Sequence, residues 1–293
     1  MEHRGETAVQ RRAGVARPGT WGSARTRPEI PGVAADFLRR RRLLVIGAAD
    51  AHGRMWAGAL TGPEGFAEPL DERRIMVGAL PGPGDPLEGA FETEHEIGLI
   101  AIEPATRRRM RVNGTAHAAG AGLLVHTDQV YANCPKYIQA RTIIPGPGGA
   151  AHVAPAARAT DALDARQREW ISRADTFFVA THAEGLGADV SHRGGNPGFV
   201  TVADERHLAW PDYVGNSMYM TLGNLELDPA CGLLFLDWDS GDALHVTGRA
   251  RVEWGTERVV RFEVDGVLEI TGATPLRWEF GGYSKHNPPT AVT

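Results

Sequence analysis

The sequence predicts a mainly β protein: two tandem small β-barrels with small helices at their ends. Three observations carry that expectation. First, the chain nearly repeats itself about 134 residues apart. Residues 98–116 read GLIAIEPATRRRMRVNGTA and residues 232–250 read GLLFLDWDSGDALHVTGRA, with Gly98/Gly232, Leu99/Leu233, Val112/Val246, Gly114/Gly248 and Ala116/Ala250 in one register. A repeat this long is a duplicated domain, not a solenoid. Second, each half is a series of short apolar runs bounded by turn residues, the pattern of strands. Third, 293 residues with 42% hydrophobic and 23% charged content give room for two ordinary globular cores.

Taken in chain order, residues 1–32 are polar, rich in Arg, Gly and Pro, and without periodicity. They read as a flexible or loosely docked arm. A helical turn follows at 33–40, ending in four arginines, Arg39 to Arg42, expected as a solvated helix end. Residues 33–144 then form the first barrel. Its strands are expected at 43–48, 55–60, 74–80, 97–103, 110–118 and 123–131. Short helices are expected at 87–93 and from 135. The stretch 145–160 is rich in Pro, Gly and Ala and reads as a linker. Residues 161–293 form the second barrel: a helix at 163–173, strands at 176–181, 188–193, 199–202 and 207–211, a helix at 216–227, and strands at 233–237, 243–254 and 259–270. In the repeat register, 43–45 answer 177–179, Gly53 answers Gly187, and the counterparts of Ser191 and Arg193 are Ala57 and Ala59.

Composition excludes several classes. A net charge of −5 argues against a dedicated nucleic-acid binder. The two cysteines, Cys134 and Cys231, form no CxxC pair, which fits a reducing cytoplasm and no zinc site. No apolar run reaches the length of a membrane span. The acidic segment 237–242 lacks the later glutamate of a calcium loop and reads as a hairpin turn. Eleven histidines are scattered without ligand spacing. The glycine-rich stretches at 145–149 and 194–198 lack the Lys-Ser/Thr of a P-loop.

Two segments carry more chemistry. Residues 189–199, DVSHRGGNPGF, place Ser191 and Arg193 on a strand end beside Gly194, where glycines allow close approach of a flat ligand. Residues 213–225, YVGNSMYMTLGNL, place Asn216 or Ser217 as a helix cap and leave free N–H groups at a helix N-terminus, an anion-binding arrangement. A plain helix cap explains the same residues equally well.

These segments, in this order, resemble the pyridoxamine 5′-phosphate oxidase-like superfamily of FMN-binding split β-barrels. The strand DVSHRGGNPGFV, the strand ending Trp210-Pro211-Asp212-Tyr213, the helix NSMYMTLGNLELDPA, then GLLFLD and LHVTGRA carry the resemblance over residues 165–293. It is weaker over 37–140, where the Cys134-Pro135-Lys136 turn contributes. It implies two tandem split barrels forming a pseudo-dimer, with FMN between them and F420 or haem as alternatives. It implies a flavin-dependent oxidoreductase acting on a small molecule, a flavin- or haem-binding protein without catalysis being the alternative. Ser191, Arg193, Gly194, Trp210, Asn216, Ser217, Thr221 and Lys136 are the implied cofactor contacts. Tyr213, Arg277 and Trp278 are candidates for the substrate face. The oxidase's Arg-Lys pair near the helix is replaced by Met220 and Thr221, so Arg193 or Lys136 would supply the charge. No catalytic acid–base pair, metal, nucleic acid or membrane partner is implied, and the fused pair is free to dimerise again.

Overall fold

The computed structural model describes residues 3–20, 22–145 and 155–290. Two short helices, α1 (Arg4–Arg12) and α2 (Gly32–Arg39), precede the first series of strands. That series is β1 (Leu43–Ala49), β2 (Met55–Thr61), β3 (Ala67–Pro69), β4 (Arg74–Val77), β5 (His95–Glu103), β6 (Arg108–Ala119), β7 (Gly122–Ala132) and β8 (Ala140–Ile144). Next come β9 (Ala156–Thr160) and α3 (Ala165–Arg173). The second series is β10 (Thr176–Ala183), β11 (Gly187–Gly194), β12 (Thr201–Val202) and β13 (His207–Pro211). It continues through α4 (Met220–Leu227) to β14 (Ala230–Leu236), β15 (Ala243–Trp254), β16 (Arg258–Thr271) and β17 (Arg277–Gly282). The fold is mainly β.

The two halves use one strand order. The first sheet runs β2-β1-β5-β6-β7-β4-β3 and the second β11-β10-β14-β15-β16-β13-β12, all antiparallel neighbours. Both carry a register shift at the same place, at Asn113/Gly114 and at Thr247/Gly248. Each sheet encloses its own core: Leu44, Ile46, Leu99 and Val112 in the first, Phe177, Val179, Leu233 and Phe235 in the second. A third cluster lies between the halves and includes Leu43, Val45, Ile100, Phe178, Val190 and Leu234. Strands β1 and β10 are thus buried on both faces, which is why they read as unbroken apolar runs rather than alternating ones. Each such side chain removed from water contributes about 1.5–3 kcal/mol.

Pairing corrects the repeat register. Gly98 and Gly232 hold the same place; they pair with Gly47 and Ala180, which in turn pair with Ala57 and Val190. Strands β1 and β2 therefore answer β10 and β11 at an offset one residue shorter than the 134 of the sequence repeat. Residues 44–46, not 43–45, match 177–179. A one-residue slip would exchange the faces of these strands, and the core assignments agree with the shorter offset: Leu44 and Phe177 face the barrels, Val45 and Phe178 the interface. The counterparts of Ser191 and Arg193 are then Gly58 and Leu60, not Ala57 and Ala59. The symmetry extends across the interface. A Cβ on Gly98 would stand 2.6 Å from the Asp189 Cα, and one on Gly232 would stand 2.6 Å from the Trp56 Cα. Asp189 and Trp56 are themselves equivalent positions, so each half presses a glycine against the other's edge strand.

Other expectations need correction. The arm is not loosely docked: α1 packs on α4, with Glu6, Val9 and Gln10 buried. Residues 87–93 form turns and no helix, and residues 135–141 give a turn followed by β8, which pairs with β17 near the C-terminus. Part of the expected linker is strand β9 on β16, while 146–154 lie outside the described residues. Within the arginine run, Arg41 is buried against Glu103 and over the Phe37 ring, 4.3 Å from its centroid. The acidic segment 237–242 is a turn, its Asp237 carboxylate accepting the Asp239 and Ser240 N–H groups at 2.9 and 2.8 Å. Among the described residues there is no metal-ligating cluster and no helix long and apolar enough to cross a membrane.

Candidate functional site

A cavity of about 100 Å³ opens between the halves. One wall is β11 of the second half, which presents Ser191, His192, Arg193 and Gly194. A second is β6 of the first half, with Arg109 and Arg111. The segment after β7 contributes Asn133, Cys134, Lys136 and Tyr137, and the approach to α4 contributes Tyr213, Asn216, Ser217 and Thr221. The side chains that meet here come from strands paired in different sheets, so the interface itself builds the cavity.

Its electrostatics are unbalanced. Arg111 is the one arginine of the cluster held by a carboxylate: its Nη1 donates to both oxygens of buried Asp189, at 3.1 and 2.9 Å. The Tyr131 hydroxyl donates to the same Asp189 at 3.0 Å. Arg109 donates to His192 Nδ1 at 2.7 Å, and Arg193 donates only to the carbonyl of His192, at 3.2 Å. An arginine can only donate, so His192 Nδ1 accepts and the neutral ring carries its proton on Nε2. Burial, and then the neighbouring arginines, keep the His192 imidazole well below its ordinary value, hence neutral. Burial pulls both guanidiniums down; Arg111 and Arg193 add to the lowering at Arg109, while Asp212 opposes it at Arg193. Arginine stays charged all the same, so two cations sit here that no carboxylate holds by a direct ion pair; the carboxylate that lines the cavity, Asp212, is paired with Arg258 at 2.9 Å.

Unpartnered polar atoms converge on the same space. The Nε atoms of Arg109, Arg111 and Arg193, Asn133 Oδ1 and His192 Nε2 are buried without a hydrogen-bond partner, and all five residues line the cavity. Buried polar atoms are nearly always satisfied, and each orphan costs about 1–3 kcal/mol. The backbone is strained in the same place. Tyr137, Ser217 and Tyr219 are non-glycine residues at φ 67°, 59° and 62°, a conformation that costs on the order of 1–3 kcal/mol each and gathers at ligand sites.

The expected helix cap is absent. Helix α4 starts at Met220 after Tyr219, with no side-chain cap, and Asn216 instead accepts the Met218 N–H at 3.1 Å to close a turn before it. Thr221 lies in the first turn and donates its hydroxyl to Ser191 Oγ at 3.0 Å, both side chains buried. Gly194 is where backbone approach matters: a Cβ there would fall 2.0 Å from the Tyr137 carbonyl oxygen. Tyr213 and Tyr137 close the mouth, their ring centroids 5.1 Å apart, and the Tyr137 hydroxyl donates to the Val214 carbonyl at 2.9 Å.

Three expected site residues lie elsewhere. Trp210 is 1% exposed and packs in the second core against Phe177, because β13 turns it inward. Arg277 and Trp278 belong to β17; Arg277 donates to the carbonyls of Thr274 and Leu276, and Trp278 is buried beside Trp238 at a separate groove. Arg109 and Arg111 were missed. Their segment read as a polar turn plus strand, and the available signal was the pair of arginines at 109 and 111, two residues apart on one strand face, where the repeat partner has Ala243 and His245.

At the mirror-related position the arginines are gone. Pairing sets Ala243 and His245 opposite Arg109 and Arg111, and Gly58 and Leu60 opposite Ser191 and Arg193. His245 is buried and lies 2.8 Å from the Ala57 carbonyl. Asp85 and Leu87 stand 3.4–3.5 Å from where a Gly58 Cβ would be, filling the space that Thr221 faces on the other side.

The pyridoxamine 5′-phosphate oxidase family model matches residues 163–292. No curated protein matches the chain. Among solved structures, a Lactobacillus delbrueckii protein named for pyridoxamine 5′-phosphate oxidase is 20% identical over 37% of this chain and 94% of its own, with a TM-score of 0.31. An FMN-binding protein from Syntrophomonas wolfei is 10% identical over 36% and 86%, with a TM-score of 0.27. A FAD binding protein from Mycobacterium smegmatis is 14% identical over 39% and 98%, with a TM-score of 0.28. By the family match, residues 163–292 of this chain belong to the pyridoxamine 5′-phosphate oxidase-like superfamily of split β-barrels.

Proposed function

We propose that the chain binds one FMN in the cavity between its halves and acts as a flavin-dependent oxidoreductase on a small molecule. The observation that carries this reading is the pair of buried guanidiniums, Arg109 and Arg193, that no carboxylate holds directly, among orphaned polar atoms. A dianionic phosphate meets that need, since arginine binds phosphate through paired, charge-assisted hydrogen bonds. Arg109 and Arg193 would hold the phosphate, with Lys136 beside them and the Ser191 and Thr221 hydroxyls completing the cradle. The absence of the oxidase's Arg-Lys pair near α4 is then made good from the opposite half.

A bound flavin supplies the hydride and electron transfer, and the protein supplies orientation and electrostatics. In this chain Arg111, fixed by Asp189, keeps the β6–β11 contact rigid under the site. His192, neutral and accepting from Arg109, aims that guanidinium into the cavity. Tyr137 and Tyr213 exclude water from the mouth. Haem is a poorer fit, because His192 is the imidazole that lines the cavity: Arg109 occupies its Nδ1 and so keeps the ring proton on Nε2, leaving neither nitrogen a free ligand.

The visible absorption spectrum of the purified protein, with mass analysis of the released ligand, tests the reading. Flavin bands and an FMN mass are expected. A Soret band, or a colourless protein that ignores added FMN and F420, would sink it. Arg193→Ala should weaken FMN binding more than Arg107→Ala, since Arg107 donates to the Ile138 carbonyl outside the cavity at 3.0 Å.

A further inference from the structure

Helix α1 comes from the start of the chain, yet it rests on α4 of the opposite half, behind the cavity. The two helices meet backbone to backbone: a Cβ on Gly5 would stand 2.0 Å from the Gly223 carbonyl oxygen, and one on Gly223 would stand 2.6 Å from the Glu6 nitrogen. Both positions therefore require glycine. Val9, 1% exposed, joins the core cluster of Leu222 and Leu225. The His3 ring lies 2.8 Å from Asn224 Oδ1, and Asn224 in turn donates to Thr181 at 3.0 Å.

Gln10 reaches furthest. It is fully buried, its Oε1 accepts the Gly19 N–H at 2.7 Å, and its Nε2 lies 3.4 Å from both the Ser217 and Met218 carbonyls. Those carbonyls belong to the turn that carries two left-handed residues, Ser217 and Tyr219, and that lines the cavity from its other side. A strained turn persists only where its surroundings over-determine it.

We infer that α1 is a built-in outer wall of the ligand site, with Gln10 as the positioning residue that holds the 217–219 turn in its binding geometry. The inference rests on the proposed function for what the turn binds, but not for the contact itself. It makes the site a product of four elements: β6 of one half, β11 and α4 of the other, and the N-terminal helix that pins α4 and its preceding turn from outside.

The test uses the full chain, with amide hydrogen exchange of the ligand-free protein read by mass spectrometry and FMN affinity read by fluorescence quenching. Gly5→Ala displaces α1 without removing any side chain from the cavity. It is expected to speed exchange in both 4–12 and 217–222 and to raise the FMN Kd about tenfold. Gln10→Ala is expected to speed exchange in 217–222 and to raise the Kd about threefold. Arg11→Ala, on the exposed face of α1, should change neither. Unaltered exchange in 217–222 for both the Gly5 and the Gln10 variants would overturn the inference. A wild-type chain that binds no FMN would overturn the proposed function instead, while the exchange data still decide the wall.

Discussion

The two mirror-related ends of the interface have the same strands and different chemistry. At one end Arg109, Arg111, Asp189, Ser191 and Arg193 crowd a cavity with more cations than anions. At the other, Ala243, His245, Trp56, Gly58 and Leu60 stand in their places, and Asp85 and Leu87 fill the gap. The frame is shared and the charge is not. A buried cation without a direct ion pair lowers stability, and its presence at one end only is the reason the proposed ligand site is placed there.

The largest expected effect follows from this contrast. Arg111→Met should destabilise the chain by about 3–5 kcal/mol, because it strands the buried Asp189 carboxylate. His245→Met at the equivalent position should cost about 1 kcal/mol, the worth of one hydrogen bond to the Ala57 carbonyl. Urea denaturation of both variants measures the difference, and equal losses would erase the asymmetry.

Next in size is a pH effect at α1. Burial raises the Glu6 carboxyl to about 7, against the lowering effect of its hydrogen bonds from Ser23. Asp189 adds to the rise, Arg111 opposes it, and Tyr131 and His3 lie in the same buried cluster. A carboxyl raised on folding contributes stability that is fully present below its unfolded value and is lost as pH rises through the folded one. Stability should therefore fall between about pH 4.5 and 7 by on the order of 3 kcal/mol. Asp85 is also raised by burial and titrates with the same sign, so the Glu6 share is the part of the slope that Glu6→Gln removes. A Glu6→Gln chain with the full wild-type slope would refute the assignment.

Arg109→Met reverses the usual direction. Removing one of two crowded, unpaired charges should raise the stability of the ligand-free protein by roughly 0.5–2 kcal/mol while it weakens ligand binding, a trade of stability against function. A destabilised Arg109→Met chain would mean that the site is not strained by charge. The smallest effect concerns the ion pair between halves, His182 to Glu96 at 2.8 Å. Glu96, and to a lesser degree Asp228, raise the His182 value. That contribution is present below pH 6.5 and fades as pH rises through the raised value. Being half-exposed, the pair should contribute under about 1 kcal/mol, measured as the change in pH slope on Glu96→Gln.

Much of this was legible in the sequence, for physical reasons. Short apolar runs and turn residues mark the strands, and the V-x-G-x-A return of each half survives because a register shift at Gly114 and Gly248 needs it. Ser191, Arg193, Gly194, Thr221, Lys136 and Tyr213 could be named because their local segments carry a family pattern. Arg109 and Arg111 could not, since their role depends on which strand of the other half they face. Trp210 was misplaced because an aromatic at a strand end gives no sign of which face it takes. Helix α1 was illegible for a different reason: glycine, polar side chains and the single apolar residue Val9 hold it, so it shows no apolar stripe. The repeat register was one residue off in β1 and β2 because identity at glycines cannot see parity, whereas pairing and burial can.

The most direct test of the central claim, that charge has been concentrated at one of two equivalent ends, is a calorimetric titration with FMN. The account predicts one site per chain, an affinity lowered roughly 10- to 100-fold by Arg109→Ala or by Arg193→Ala, and no change on His245→Ala. Two sites per chain, or binding indifferent to both arginines, would contradict it.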